Sequence, residues 1–73
     1  MTRKNRHLIR KKTLTCGLEV SSKFTWEATD ENGDLYVYVK KPIKGTDKWF
    51  DHHDCEYVAN VPHNNWEESL EVI

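Results

Sequence analysis

The sequence predicts a mostly β chain of the α+β class, about four antiparallel strands closed by a short C-terminal helix. Three observations lead there. Apolar and polar residues alternate with a period of two along residues 12–20, 23–31, 34–41 and 55–61. The second and third of these runs meet at Asn32-Gly33, a dipeptide suited to a hairpin turn. Near the C-terminus the period lengthens, with Trp66, Leu70 and Ile73 at i, i+4 and i+7.

Each element has its own justification. In residues 12–20, Leu14, Cys16, Leu18 and Val20 alternate with Thr13, Thr15, Gly17 and Glu19, which reads as one strand. Gly17 marks a bulge or a close approach of another chain segment. Ser21-Ser22 turns the chain into the hairpin. A type I′ turn needs positive φ at both central residues, which suits Asn32-Gly33 and makes Glu31 and Asp34 the closing pair. Trp26 then faces Val39 and Ala28 faces Val37, so Phe24, Trp26, Ala28, Val37 and Val39 share the buried side. Tyr36 and Tyr38 fall on the solvent side. Residues 42–47 are a loop by composition. The strand at 55–61 places Cys55, Tyr57, Ala59 and Val61 inward, and Pro62 ends it. Asn65 stands three residues before Glu68, a weak capping-box spacing for a helix over 66–72. So short a helix needs its Trp66 face docked on the sheet.

The length of 73 residues suits one small domain, with 37% hydrophobic and 32% charged residues. Such a chain buries only about 60% of its unfolded surface, so its eight aromatic side chains carry much of the core. The formal net charge of −1 conceals a split. Residues 1–12 hold six cations and no acid, while the remaining five cations stand against all 12 acids, a balance of −7. Residues 1–6 carry nothing to bury and read as a mobile basic arm. Arg10, Lys11 and Lys12 run directly into the first strand, where cations guard an edge against unwanted pairing. No 18-residue apolar run is present, so no membrane span is expected, and the basic start leads into no apolar signal segment.

The two cysteines allow at most one disulfide, and without a secretory signal two free thiols are the expectation. Cys16, His53, Cys55 and His63 have the ligand types of a zinc site. Their spacing matches no paired-ligand motif, and buried thiols beside solvated histidines account for the same residues, so no metal or cofactor is expected. Cys55 and His53 could form a nucleophile–base pair, yet no third group orients them. With no phosphate loop or nucleophile elbow either, the chain is not expected to be an enzyme.

Surfaces carry the remaining signal. Tyr36 and Tyr38 suit a protein interface, simple cross-strand pairing, or a face covered by another subunit. Trp49 and Phe50 are adjacent in a charged stretch, so on an extended chain one is core and the other is a contact residue. These four are the expected partner-binding residues. Arg6, Arg10, Lys11 and Lys12 form the alternative, an anion-binding set for phosphates whose affinity would fall with salt. The acidic residues, including Asp30, Glu31 and Asp34 at the hairpin tip, are too sparse for a nucleic-acid mimic.

The tail from Val61 to Leu70 carries a resemblance. Tyr57 precedes Pro62, and Asn65-Trp66-Glu67-Glu68-Ser69-Leu70 follows. This resembles small bacteriophage proteins of uncharacterised role that close with a Tyr-rich strand, a proline turn and an Asn/Asp-Trp-x-x-Ser-Leu helix. About 15 of the 73 residues share the pattern. The resemblance implies action in the host bacterial cytoplasm, by binding a host protein or sequestering a small signalling nucleotide. The expected function is therefore a non-enzymatic phage accessory protein that binds and inhibits a host defence or regulatory protein. The alternative is a binder of nucleic acid or of a small anionic nucleotide, acting as an oligomeric sponge. A homo-oligomer would suit the undersized core and the opposed charges.

Overall fold

Two glycines with left-handed backbone set the layout of the chain. In the computed structural model, which describes residues 10–51 and 54–73, Gly17 has φ 95° and Gly33 has φ 93°. Each closes the same turn. Gly17 N–H donates to Leu14 O at 2.9 Å while Leu14 N–H donates to Leu18 O at 2.7 Å. Gly33 N–H donates to Asp30 O at 2.9 Å while Asp30 N–H donates to Asp34 O at 2.9 Å. Both are three-residue loops whose last residue takes positive φ, the residue for which glycine is suited.

Eight strands in three antiparallel sheets follow among the described residues. β1 (Lys11–Thr13) pairs with β2 (Glu19–Ser21). The central sheet has the order β7-β4-β3-β8, from β3 (Trp26–Thr29), β4 (Asp34–Tyr38), β7 (Cys55–Asn60) and β8 (Glu71–Val72). β5 (Ile43–Lys44) and β6 (Trp49–Phe50) make a small third sheet. The basic arm expected at residues 1–6, Arg6 included, and His53 lie outside the described residues.

Several sequence expectations change. The strand expected at 12–20 is a hairpin folded at Thr15-Cys16-Gly17, because the glycine conformation that ends β1 turns the chain back. The expected loop at 42–47 contains β5, paired with β6. In the main hairpin the loop is Glu31-Asn32-Gly33, one residue longer than a type I′ turn. Asn32 Oδ1 accepts from Asp34 N–H at 3.0 Å, and Val61 N–H donates to Gly33 O at 2.7 Å, which holds the turn from both sides. The longer loop shifts the register, so Trp26 faces Tyr38 and Ala28 faces Tyr36. Tyr36 and Tyr38 therefore share a face with Trp26 and Ala28, and Tyr38 is buried at 1% exposure rather than facing solvent.

The shift costs no burial because both sheet faces are covered. One face is aliphatic: Leu14, Phe24, Leu35 and Val37 are buried, with Val20, Val39, Val58, Val61 and Ile73 against them. The other is aromatic: Ala28, Tyr38 and Trp49 are buried, with Trp26, Tyr36, Trp66 and Leu70 around them. On β7 the register slips between Leu35 and Tyr36, leaving Val58 as the extra residue of a bulge. Tyr57 and Cys55 thus lie opposite Tyr36 and Tyr38 and are exposed rather than inward, while Val58 and Val61 pack on the aliphatic core.

The expected helix over 66–72 is instead one 3-10 turn, Trp66–Glu68, followed by β8. Asn65 makes no side-chain cap. A helix this short gains little from its own hydrogen bonds, whereas the open edge of β3 offers a ladder. β8 takes it, pairing Trp26 with Val72 and Glu27 with Glu71. Ser69, 4% exposed, joins the two pieces: its Oγ accepts from Thr29 N–H at 2.8 Å and lies 2.7 Å from Trp66 O. No helix among the described residues is long and apolar enough to cross a membrane.

Candidate functional site

The aromatic face leaves a cavity of about 180 Å³ where β4 and β7 meet β6. Alternation places Tyr36 and Tyr38 side by side along β4, and the bulged β7 brings Cys55 opposite Tyr38. The β5–β6 hairpin then folds over this row and supplies Trp49 and Phe50. All four residues expected to bind a partner, Tyr36, Tyr38, Trp49 and Phe50, line this one cavity. Their roles differ. Tyr38 and Trp49 are buried and form its floor, with Tyr38 Oη donating to Trp49 O at 3.4 Å. Trp49 Nε1 donates to Trp66 O at 3.2 Å, and the two indoles meet edge to face with centroids 6.4 Å apart. Tyr36 is half-buried, its ring 5.6 Å from that of Tyr57 in an edge-on contact. Phe50 is 40% exposed and Tyr57 55% exposed, so these two reach solvent.

Two carboxylates complete the cavity, and neither stood out in the sequence. Asp30, grouped there with the acids at the hairpin tip, is only 7% exposed. It continues the row of Trp26 and Ala28 into the cavity, and its Oδ1 accepts from Trp49 N–H at 2.8 Å. Asp51 follows Phe50, and its buried Oδ2 has no hydrogen-bond partner among the described residues. Lys48 stands at the rim, exposed. The ion pair among the described residues is elsewhere, Lys44 with Glu67 at 3.6 Å.

Acids outnumber cations in the cavity wall, Asp30 and Asp51 against Lys48. Burial raises the Asp30 carboxyl above its ordinary value, opposed by the Trp49 N–H bond and reinforced by Asp34. Burial likewise pushes up Tyr38, with Asp30 the next cause, and Tyr36, with Asp34 and Asp30 next. The Cys55 thiol is raised by burial and by Asp51, Asp54 and Asp30, which disfavours the thiolate needed of a nucleophile. Every one of these groups resists further negative charge.

The other sequence candidates are dispersed. Cys16 and Cys55 are both exposed free thiols, not the buried pair expected: one sits in the first hairpin loop, the other at the cavity. His63 Nδ1 accepts from Asn65 N–H at 3.0 Å. Among the described residues no three His, Cys, Asp or Glu side chains gather to hold a metal. Arg10 and Lys11 are exposed, but Lys12 is half-buried and its Nζ donates to Phe24 O at 2.9 Å, a structural bond from β1 to the segment between β2 and β3. In comparisons with known proteins, no protein-family model, no curated protein and no solved structure matches the chain.

Proposed function

We propose that this chain is a binding protein without catalytic chemistry of its own, which docks a partner protein on the aromatic face. The observation that carries the reading is the cavity: Tyr36, Tyr38, Trp49 and Phe50 converge on it, and Phe50 and Tyr57 stand exposed beside it. Exposed aromatics around a recess are the usual anchors of a protein interface. The setting, a phage protein that inhibits a host bacterial protein in the host cytoplasm, comes from the tail's sequence resemblance alone, since its Trp66–Glu68 segment is a 3-10 turn and not the helix of that pattern. The anionic-nucleotide alternative gains nothing from this site, because a phosphate would meet Asp30 and Asp51.

Affinity capture from bacterial lysate, read by quantitative mass spectrometry, tests the proposal. A partner recovered by the wild type should be lost from a Phe50→Ser/Tyr57→Ser variant whose thermal unfolding is preserved. The purified partner should lose activity on adding the wild-type chain. Equal recovery by both baits would remove this face from the interface.

A further inference from the structure

We infer that the cavity is a receptor for a guanidinium group, an arginine side chain presented by the partner. The inference rests on the protein-docking reading above and names what the partner must offer.

The first argument is the orphaned acceptor. Asp51 Oδ2 is buried and has no hydrogen-bond partner among the described residues. Buried polar atoms in folded proteins are nearly always paired, so an unpaired carboxylate oxygen in a cavity wall marks the place of a donor supplied from outside. The second is the wall itself. Tyr36, Tyr38, Trp49 and Phe50 all line the same space, with Phe50 and half-buried Tyr36 the more exposed of the four, and aromatic rings attract cations. The third is the field. Asp30 and Asp51 line the cavity, and after burial itself, nearby carboxylates are among the causes that raise Asp30, Tyr36, Tyr38 and Cys55.

Arginine fits this combination better than lysine. A guanidinium is flat, stacks on aromatic rings and presents donors in a fork that suits a carboxylate. It is also more weakly hydrated than an ammonium, so it enters a partly enclosed space more readily. The cavity, about 180 Å³, has room for a group displacing several waters of about 30 Å³ each. Lys48 at the rim acts on Asp30 only at longer range, and among the described residues it forms no ion pair with either carboxylate. Its charge instead opposes an incoming cation.

The test uses the whole chain and a small probe. N-acetyl-argininamide is titrated into labelled protein, and the Trp49 indole resonance is followed by NMR. Saturable binding is expected, with N-acetyl-citrullinamide, the same shape without the charge, weaker by roughly tenfold. Asp51→Asn should weaken the arginine probe by a similar factor, and Lys48→Met should strengthen it. Equal shifts from the arginine and citrulline probes on the wild type would overturn the inference, whatever the variants do. Sedimentation across a range of concentrations separates the source of the arginine. Self-association abolished by Asp51→Asn would hand the cavity to a neighbouring copy of this chain and overturn assignment to a different partner. The two readings also fail differently. If the probe binds but no protein is captured, the docking proposal fails. If a partner is captured equally by wild type and Asp51→Asn and the probe does not bind, only the arginine receptor fails.

Discussion

The two faces of the central sheet bury similar positions of the same strands in opposite ways. On the aliphatic face, the buried acid among the described residues is answered. Glu27, 2% exposed, accepts from Thr15 N–H at 3.0 Å and from Thr15 Oγ1 at 2.5 Å, so the first hairpin loop satisfies both carboxylate oxygens. On the aromatic face the acids are left partly unanswered, with Asp30 holding one bond from Trp49 and Asp51 Oδ2 holding none among the described residues. A buried charge is tolerated when its partners are built in, and an unmatched one signals a site. The contrast separates a face whose buried acid is paired within the chain from the face on which partner docking is proposed.

The sharpest way to break this division is to truncate one phenylalanine on each side. Phe24 is 1% exposed in the aliphatic core, and Phe24→Ala should cost about 3–5 kcal/mol, much of the stability of so small a domain. Phe50→Ala, at a 40% exposed position, should stay within about 0.5 kcal/mol. Thermal unfolding by circular dichroism reads both, and equal losses would mean that the aromatic face is core in the same sense.

A smaller effect compares the acids. Glu27→Ala strands the Thr15 N–H and hydroxyl, and should lower stability by about 1–3 kcal/mol. Asp51→Asn replaces a half-buried carboxylate whose Oδ2 has no partner among the described residues, and should leave the urea midpoint unchanged or slightly raised. A large loss from Asp51→Asn would show that the carboxylate has a structural partner.

The smallest effect is in the pH dependence. Burial raises Asp30, so the folded chain binds that proton more tightly than the unfolded chain. The resulting stabilisation is complete below the unfolded value of 3.8 and is lost as pH rises through the higher folded value. Asp30→Asn keeps an oxygen for Trp49 N–H and removes the titration. On acidification from neutral pH toward 4, the wild type should therefore gain stability relative to Asp30→Asn. Parallel urea midpoints for the two proteins across that range would deny Asp30 this role.

Some of this was legible in the sequence. The hairpin at Asn32-Gly33 and the strand from Cys55 were visible because turn residues and alternation are local signals. The grouping of Tyr36, Tyr38, Trp49 and Phe50 was anticipated as a set of contact residues, but their convergence on one cavity was not. Asp30 and Asp51 were missed because nothing in a local stretch shows that an acid near a turn or a short strand will line a cavity. The register was misjudged for a definite reason. Alternation selects a register when one face is wet, and here both faces of β3 and β4 are dry.

The local sequence by itself determined the turn at Asn32-Gly33 and that the chain is mostly strand, whereas the turn at Gly17 emerged only in the fold. Positive φ at Gly33, and the alternation on either side of it, are properties of a few neighbouring residues. Tertiary structure alone decided which side of each strand faces which core, and that the tail becomes β8 instead of a helix. It also decided which acids are buried. Those outcomes depend on partners distant in sequence: the β3 edge waiting for β8, Thr15 reaching Glu27, and Trp49 folding back onto Asp30. A free strand edge and an unmatched buried charge exist only after the rest of the chain has packed around them.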